Sequence, residues 1–262
     1  MSLSREEVMV GRWSTRVIGL LNAYREAEHH RCQGVFDRWY PEFRHASDRY
    51  EEMIGEISHP DSLILDLGCG RMSLAAEQFR GAKLSVGVDL GLDDLRQNTD
   101  VDFSLLANGE SLPFEPRTFD LVVSQWAAEH FENPPLVFSE ISRVLKQGGS
   151  CVVFTTCAYN YIPIISKLVG PKLQNLLIAA FLRRPKHESY PTHYRANTPK
   201  TLASLSKDSG LVVHEIIYVG NPFYLSFSVF LFRLALLFER ITDRKGLRHL
   251  KLYLLFVARK PE

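Results

Sequence analysis

The segment LILDLGCGRMSL, Leu63 to Leu74, sets a carboxylate, Asp66, two residues ahead of a glycine pair, Gly68 and Gly70, separated by Cys69. An apolar run entering a glycine turn that opens a helix is a ligand-binding turn. Glycine lets backbone approach a ligand closely, and the helix N-terminus favours negative charge. A dinucleotide turn asks for a third glycine, and Ser73 holds that place here. Asp66 can meet an ammonium group and would be unwelcome beside a pyrophosphate. Asp89 lies 21 residues after Gly68 at the end of the next apolar run, where an acid accepts hydrogen bonds from ribose hydroxyls. Asn108 ends the following run, where its amide can reach an adenine edge. The implied ligand has an amino acid end, a ribose and an adenine. Asp66 and the absent third glycine speak against a nicotinamide oxidoreductase.

These residues need strand ends to hold them. LILDL (63–67), KLSVGVDL (83–90), VDFSLLA (101–107), FDLVVSQ (119–125) and SCVVFTT (150–156) read as short buried strands. Helices are expected from about Ser73, near Leu92 and over 134–145. The alternation predicts an α/β fold, a doubly wound, mostly parallel Rossmann-like sheet. LVVHEIIYV (211–219) and KLYLLFVARK (251–260) complete seven strands, and Pro199 should open a helix after Thr198. Residues 14–59 read as helices, with Val17, Leu20, Leu21 and Tyr24 at helical spacing. The domain reading is an N-terminal helical cap over 1–60. A larger domain follows over 61–262, with helical insertions at 159–198 and 221–249.

The matching pieces LDLGCG, GVDL, LANGESLPFEPRTFDLVVS and EISRVLKQGGSCVVFT, in this order and spacing, resemble the class I S-adenosylmethionine-dependent methyltransferases, type 11 subgroup, over about residues 60–157. The resemblance implies a methyltransferase of the EC 2.1.1 class with S-adenosyl-L-methionine as cofactor. It implies that the loop of Asp66, Gly68, Cys69 and Gly70 holds the methionine moiety and Asp89 the ribose. Asn108 and Gly109 contact adenine, with the backbone at Leu90 packed on it. Ser124 to Trp126, including Gln125, line the methionine side. The chain departs from the family at Met72, where a small residue is common, and at Asn108, where Asp is common. Asn keeps an acceptor and adds a donor, so adenine recognition can survive. Gly70 is expected against the cofactor, Met72 turned toward protein and Arg71 near the methionine end.

For the transfer itself, positioning of the acceptor supplies much of the rate, and a hydroxyl acceptor benefits from a base. His130, in QWAAEHFENPP just beyond strand 4, is the candidate catalytic base, with Glu129 a weaker one. NPPL (133–136) lies too far past the strand end to be an amine-holding motif and is expected to open a helix. Trp126 and the loop HESYPTHYRANTPK (187–200), with His187, His193, Tyr194 and Arg195, are candidates for the acceptor side. Arg195 suits a carboxylate or phosphate, though Tyr194 and Arg195 can equally anchor the following helix.

The rest of the chain bounds the partners. Residues 1–158 hold 15 Lys and Arg against 24 Asp and Glu, whereas residues 159–262 hold 16 against 6. A basic half invites an anionic partner or a solvated face. Phe223 to Phe238 is apolar with Arg233 its only charge, and at 16 residues it is short of the ~18 of a membrane span. It reads as a buried core helix, an interfacial membrane helix or an oligomer surface. KLVGPKLQNLLIAAFLRRPK (167–186) is likewise apolar with basic flanks.

The expected acceptor is a small molecule or a lipid- or glycan-linked compound, with no nucleic acid. A non-catalytic membrane-peripheral protein on the same fold is the alternative. No metal is expected, since His29 and His30 are adjacent and cannot share a helix face. Cys32, Cys69, Cys151 and Cys157 form no CxxC pair and read as reduced thiols. With no apolar run near Met1, the expected location is cytoplasmic, with peripheral membrane contact left open.

Overall fold

A computed structural model describes residues 23–165 and 191–262. The expected helical positions Val17, Leu20 and Leu21, the 167–186 segment and His187 lie outside the described residues. The chain divides into two compact units. The larger comprises 44–221 and 242–262; the smaller comprises residues up to Phe43 together with 222–241.

The larger unit is built on β1 (Leu63–Leu67), β2 (Leu84–Asp89), β3 (Phe103–Leu106), β4 (Phe119–Gln125), β5 (Leu145–Thr156), β6 (Val212–Val219) and β7 (Tyr253–Arg259). The seven strands form one sheet in the order β3-β2-β1-β4-β5-β7-β6. β7 runs antiparallel to both neighbours and the remaining pairs are parallel, as expected for the mostly parallel doubly wound sheet. β1 and β4 are buried on both faces and largely apolar, as strands covered by helices on both sides must be. The strand order reverses between them, which opens a crevice beyond their carboxyl ends.

Three helices show why the sequence folds this way. α2 (Ala46–Ile57) presents Tyr50, Met53 and Ile54 to the sheet, and the Tyr50 ring lies 5.4 Å from that of Phe154 on β5. α5 (Pro134–Val144) starts at Pro134 after Asn133, so NPPL does open a helix, and it buries Val137, Phe138, Ile141 and Val144 at helical spacing. α6 (Pro199–Asp208) carries Pro199 in its first turn and is capped by Thr198, whose Oγ1 accepts from the Thr201 N–H at 3.1 Å. The two intervening helices are short, α3 (Ala76–Arg80) and α4 (Leu92–Leu95). α3 begins three residues later than the expected Ser73, because residues 71–75 are spent on the loop.

In the smaller unit, residues 23–39 form α1, and α7 spans Val229–Thr242. Cys32 and Phe36 of α1 pack with Phe232 and Leu236 of α7. The Glu28 carboxylate accepts from the Val229 N–H at 3.0 Å, placing negative charge at the α7 N-terminus. The apolar run expected as one helix is broken: a 3-10 turn covers Pro222–Leu225 before α7 begins. α2 belongs to the larger unit although 1–60 reads as a cap in the sequence, and 222–241 shares its unit with N-terminal residues. Among the described residues no helix is long and apolar enough to cross a membrane.

Asp120 of β4 ties three strands together. Its carboxylate accepts from the Leu63 N–H at 2.9 Å and from the Lys146 ammonium at 2.7 Å. Partial burial pushes its pKa up, but the Leu63 amide and Lys146 together outweigh that and hold it below the usual carboxylate value. A carboxyl depressed in the folded state stabilises above its unfolded pKa, and that stability is lost as pH falls through the folded pKa. Asp120→Asn should therefore cost about 1 kcal/mol at pH 7. The difference from wild type should shrink toward pH 3 in urea melts compared across pH.

Candidate cofactor and acceptor site

A cavity of about 400 Å³ opens at the carboxyl ends of the first four strands, within the larger unit. Its wall takes Leu67 and Gly68 at the end of β1, Asp89 and Leu90 at the end of β2, Asn108 and Gly109 just after β3, and Trp126 and Ala127 just after β4. His130, Phe131, Glu132, Pro191 and His193 close the other side. Residues more than 120 positions apart in the chain thus meet around one space.

The glycine loop is held by close approach as well as by hydrogen bonds. Gly68 has φ +75° and Gly70 has φ +51°, both in the left-handed region that side chains disfavour. A Cβ on Gly68 would lie 2.3 Å from the Ala127 methyl, whereas one on Gly70 would meet nothing within 4 Å. Gly68 is therefore required by the neighbouring chain, and Gly70 leaves open room along the cavity wall. The Asp89 carboxylate accepts from the Gly70 N–H at 2.9 Å and the Gly91 N–H at 2.7 Å. Each oxygen keeps a second lone pair, so Asp89 can position the loop and still accept from a hydroxyl.

Asp66, Cys69 and Gln125 are placed differently: all three are buried and none lines the cavity. Asp66 lies beneath the loop with neither carboxylate oxygen hydrogen-bonded. Burial pushes its pKa up to about 7, reinforced by Asp89 and Asp100; Ser73 is near enough to lower it but falls short of hydrogen-bond geometry. Cys69 fills the space left by Gly87 on β2, where a Cβ would lie 2.7 Å from its sulfur, and burial pushes its thiol pKa well up. Gln125 staples the loop to β4, accepting from the Leu74 N–H at 2.9 Å and donating to the Met72 carbonyl at 2.8 Å. Met72 does not turn toward protein: it is 54% exposed, because the Gln125 staple holds its backbone and leaves the side chain outward. It stays out of the cavity. Arg71 pairs with Asp94 of α4 at 2.7 Å, and Asp94 lines the cavity.

The Asn108 side-chain oxygen accepts from the Glu110 N–H at 2.9 Å, closing a local turn. That uses one lone pair of the oxygen and leaves the second, together with the amide NH₂, to meet an amino group or a ring nitrogen. Leu90, exposed at the rim, offers apolar surface beside it. Trp126 has φ +50°, a costly conformation for a bulky residue, and it sits at the carboxyl end of β4. Its backbone N–H donates to the Phe154 carbonyl at 2.7 Å and its ring lies 5.2 Å from the Phe154 ring, which hold it there.

His130 lies on the cavity wall with Nδ1 3.0 Å from the Pro191 carbonyl oxygen. A carbonyl only accepts, so Nδ1 carries the proton and Nε2 is the basic nitrogen of the neutral ring. Glu129 points away from the cavity. It is half-buried, accepts from the Thr155 hydroxyl at 2.6 Å, and has its pKa raised mainly by loss of hydration around its carboxyl. Its backbone carbonyl accepts from the His193 N–H at 2.7 Å and the Tyr194 N–H at 3.1 Å, anchoring the 191–197 segment. His193 lines the cavity; Tyr194 and Arg195 do not, and the Arg195 guanidinium donates to the Glu132 carbonyl. Glu110, Phe131, Glu132 and Pro191 also line the cavity; each lies within a stretch read from the sequence, but none is singled out there. Among the described residues there is no cluster of His, Cys, Asp and Glu suited to a metal, and the four cysteines are unpaired and buried.

Residues 65–153 match the family model described as a methyltransferase domain. The malonyl-(acyl-carrier protein) O-methyltransferase of a Marinomonas species is 34% identical over 114 residues, 40% of this chain and 42% of that one. The ubiquinone biosynthesis O-methyltransferase of Pseudomonas entomophila is 27% identical over 207 residues, 73% of this chain and 85% of that one. The S-adenosylmethionine-dependent methyltransferase from Mesorhizobium loti superposes with a TM-score of 0.55 at 20% identity, over 82% of this chain and 98% of that one, and shares the fold. The chain spans about half the length of several curated relatives it matches, 42% to 52%.

Asp66 gives a test of its burial. A carboxyl whose folded pKa is near 7 binds a proton that the unfolded chain releases near pH 4. The sign is opposite to that of Asp120: stability is lost as pH rises toward 7. Asp66→Asn should raise the melting temperature of the ligand-free protein at pH 8, and the gain should vanish toward pH 4 in calorimetric scans.

Proposed function

We propose that this chain, with its methyltransferase domain over residues 65–153, transfers a methyl group from S-adenosylmethionine to a hydroxyl of a small-molecule or lipid- or glycan-linked acceptor. The observation that carries the reading is the alignment of Gly70, Asp89 and Asn108 on three neighbouring strand ends along one cavity. They meet, in order, the needs of an amino acid end, a ribose and an adenine. The residues fit the cofactor. The backbone over Gly70 leaves room, Asp89 retains acceptor capacity beside its two amide bonds, and Asn108 keeps its NH₂ as a donor. Asp66, buried beneath the loop without a hydrogen-bond partner, is held protonated up to about pH 7 in the ligand-free chain, and an ammonium group bound over the loop would favour its ionised form.

When bound, the cofactor supplies a methyl group already activated by its sulfonium. The protein's contribution is then to place the acceptor in line, to exclude water and to take a proton. Trp126, His193 and Phe131 bound the acceptor side. His130, oriented by the Pro191 carbonyl, presents Nε2 as the proton acceptor for a hydroxyl. Two relatives are named as O-methyltransferases, which favours oxygen over nitrogen or carbon here.

Isothermal titration with S-adenosylhomocysteine should give one site per chain, and Asp89→Ala should weaken it by about tenfold to a hundredfold. No heat of binding at millimolar ligand would sink the proposal. For catalysis, methyl-labelled S-adenosylmethionine incubated with an extract of polar and apolar metabolites should label an alkali-stable methyl ether. His130→Ala should cut that labelling by about 10²-fold or more while leaving the titration unchanged.

A further inference from the structure

Helix α7 has two faces. Phe232, Ala235, Leu236 and Glu239 are buried, whereas Phe230, Leu234, Leu237 and Ile241 are 44% to 70% exposed. The spacing of the exposed four, at steps of four, three and four, puts them on one stripe along the helix. Arg233 and Arg240, also exposed, run along one flank of that stripe. They are the charged side chains α7 exposes, since its one acid, Glu239, is buried. The Arg240 guanidinium sits over the Trp39 ring of α1 at 5.8 Å from its centre, and Trp39 is half exposed.

Four large apolar side chains in a row are costly in water unless something covers them. At 14 residues the helix is about 21 Å long, too short to cross a bilayer but suited to lying in its surface. A flat apolar protein partner would answer the stripe and leave the arginine flank without counter-charge. An anionic bilayer answers both, with acyl chains for the stripe and phosphates for the arginines, and its boundary is where tryptophan is favoured. The sequence directly after the helix adds Arg244 and Lys245, within a region of 16 Lys and Arg against 6 Asp and Glu. We propose that the exposed face of α7 docks the protein onto an anionic lipid surface, with Phe230, Leu234, Leu237 and Ile241 inserted and Arg233 and Arg240 at the headgroups. The docking stands independently of the methyl-transfer chemistry, because its residues and its measurement involve neither the cavity nor the cofactor.

The test is sedimentation of the full chain with vesicles of phosphatidylcholine alone and of phosphatidylcholine mixed with phosphatidylglycerol. Binding to the mixed vesicles and little to the neutral ones is expected, falling as salt rises. Leu234→Glu with Leu237→Glu should weaken binding by about tenfold or more. Arg233→Gln with Arg240→Gln should weaken it and flatten the salt dependence, and it preserves the apolar stripe should the first pair fold poorly. Thermal melts and S-adenosylhomocysteine titration of each variant should match wild type. Absence of binding to either vesicle, or binding that neither pair reduces, overturns the proposal. So does a wild-type dimer in light scattering that the leucine pair dissolves without any vesicle binding, which assigns the stripe to a second copy of the chain.

Discussion

At Gly68 the chain leaving β1 passes Ala127, just beyond β4, so closely that a single added carbon would lie 2.3 Å from the Ala127 methyl. Two strand ends from opposite halves of a doubly wound sheet are pressed together there, where the strand order reverses. The loop that follows can take only a left-handed course at Gly68 and again at Gly70. Once that course is set, the remaining contacts fall on it from three sides: Asp89 from β2, Gln125 from β4, and Asn98, whose amide donates to the Gly70 carbonyl at 3.0 Å. The cavity is the space this folded loop leaves above itself.

The same constraint explains why chemically similar residues take different places. Asp66 and Asp89 are both acids near the carboxyl ends of neighbouring strands, yet one is sealed below the loop and the other faces the cavity. The difference is register: Asp66 pairs with Gly87 inside the sheet, while Asp89 is the last residue of β2 and reaches across to the loop amides. Burial without a partner raises the pKa of Asp66, whereas Asp120, tied to an amide and an ammonium, is held low. On the far wall, the backbone of Glu129 anchors the 191–197 segment, and the Pro191 carbonyl in turn fixes the tautomer of His130. Ordering of this side of the cavity thus depends on a contact between stretches more than 60 residues apart.

Legibility in the sequence followed how local the determining interaction is. The strands of the core were readable because burial on both faces forces an apolar run, and the order of glycine, acid and amide residues at their ends was readable with them. α5 and α6 were marked by Pro134 and by the Thr198-Pro199 pair, whose capping preferences act within one turn. Met72 was misplaced and Gln125 carried an unforeseen contact because both depend on one bond across the sheet, from the Gln125 amide to the Met72 carbonyl. Glu110, Phe131, Glu132 and Pro191 lie within stretches that the sequence marked without being singled out; each reaches the cavity through the packing of a loop. The apolar run ending in α7 showed its composition but not its break, since three residues, Ser226 to Ser228, separate the turn from the helix.

The sequence by itself therefore determined the seven-stranded α/β class and the residue types offered at the strand ends. These follow from solvent exclusion and from backbone preferences acting over a few residues. Only the tertiary structure decided which of those residues face the cavity, and that Gly68 answers to Ala127. It alone decided that His130 is oriented by Pro191 and that α7 buries one face and exposes a row of apolar side chains on the other. Those outcomes rest on contacts between segments far apart in the chain, and no local pattern encodes the distance at which they meet.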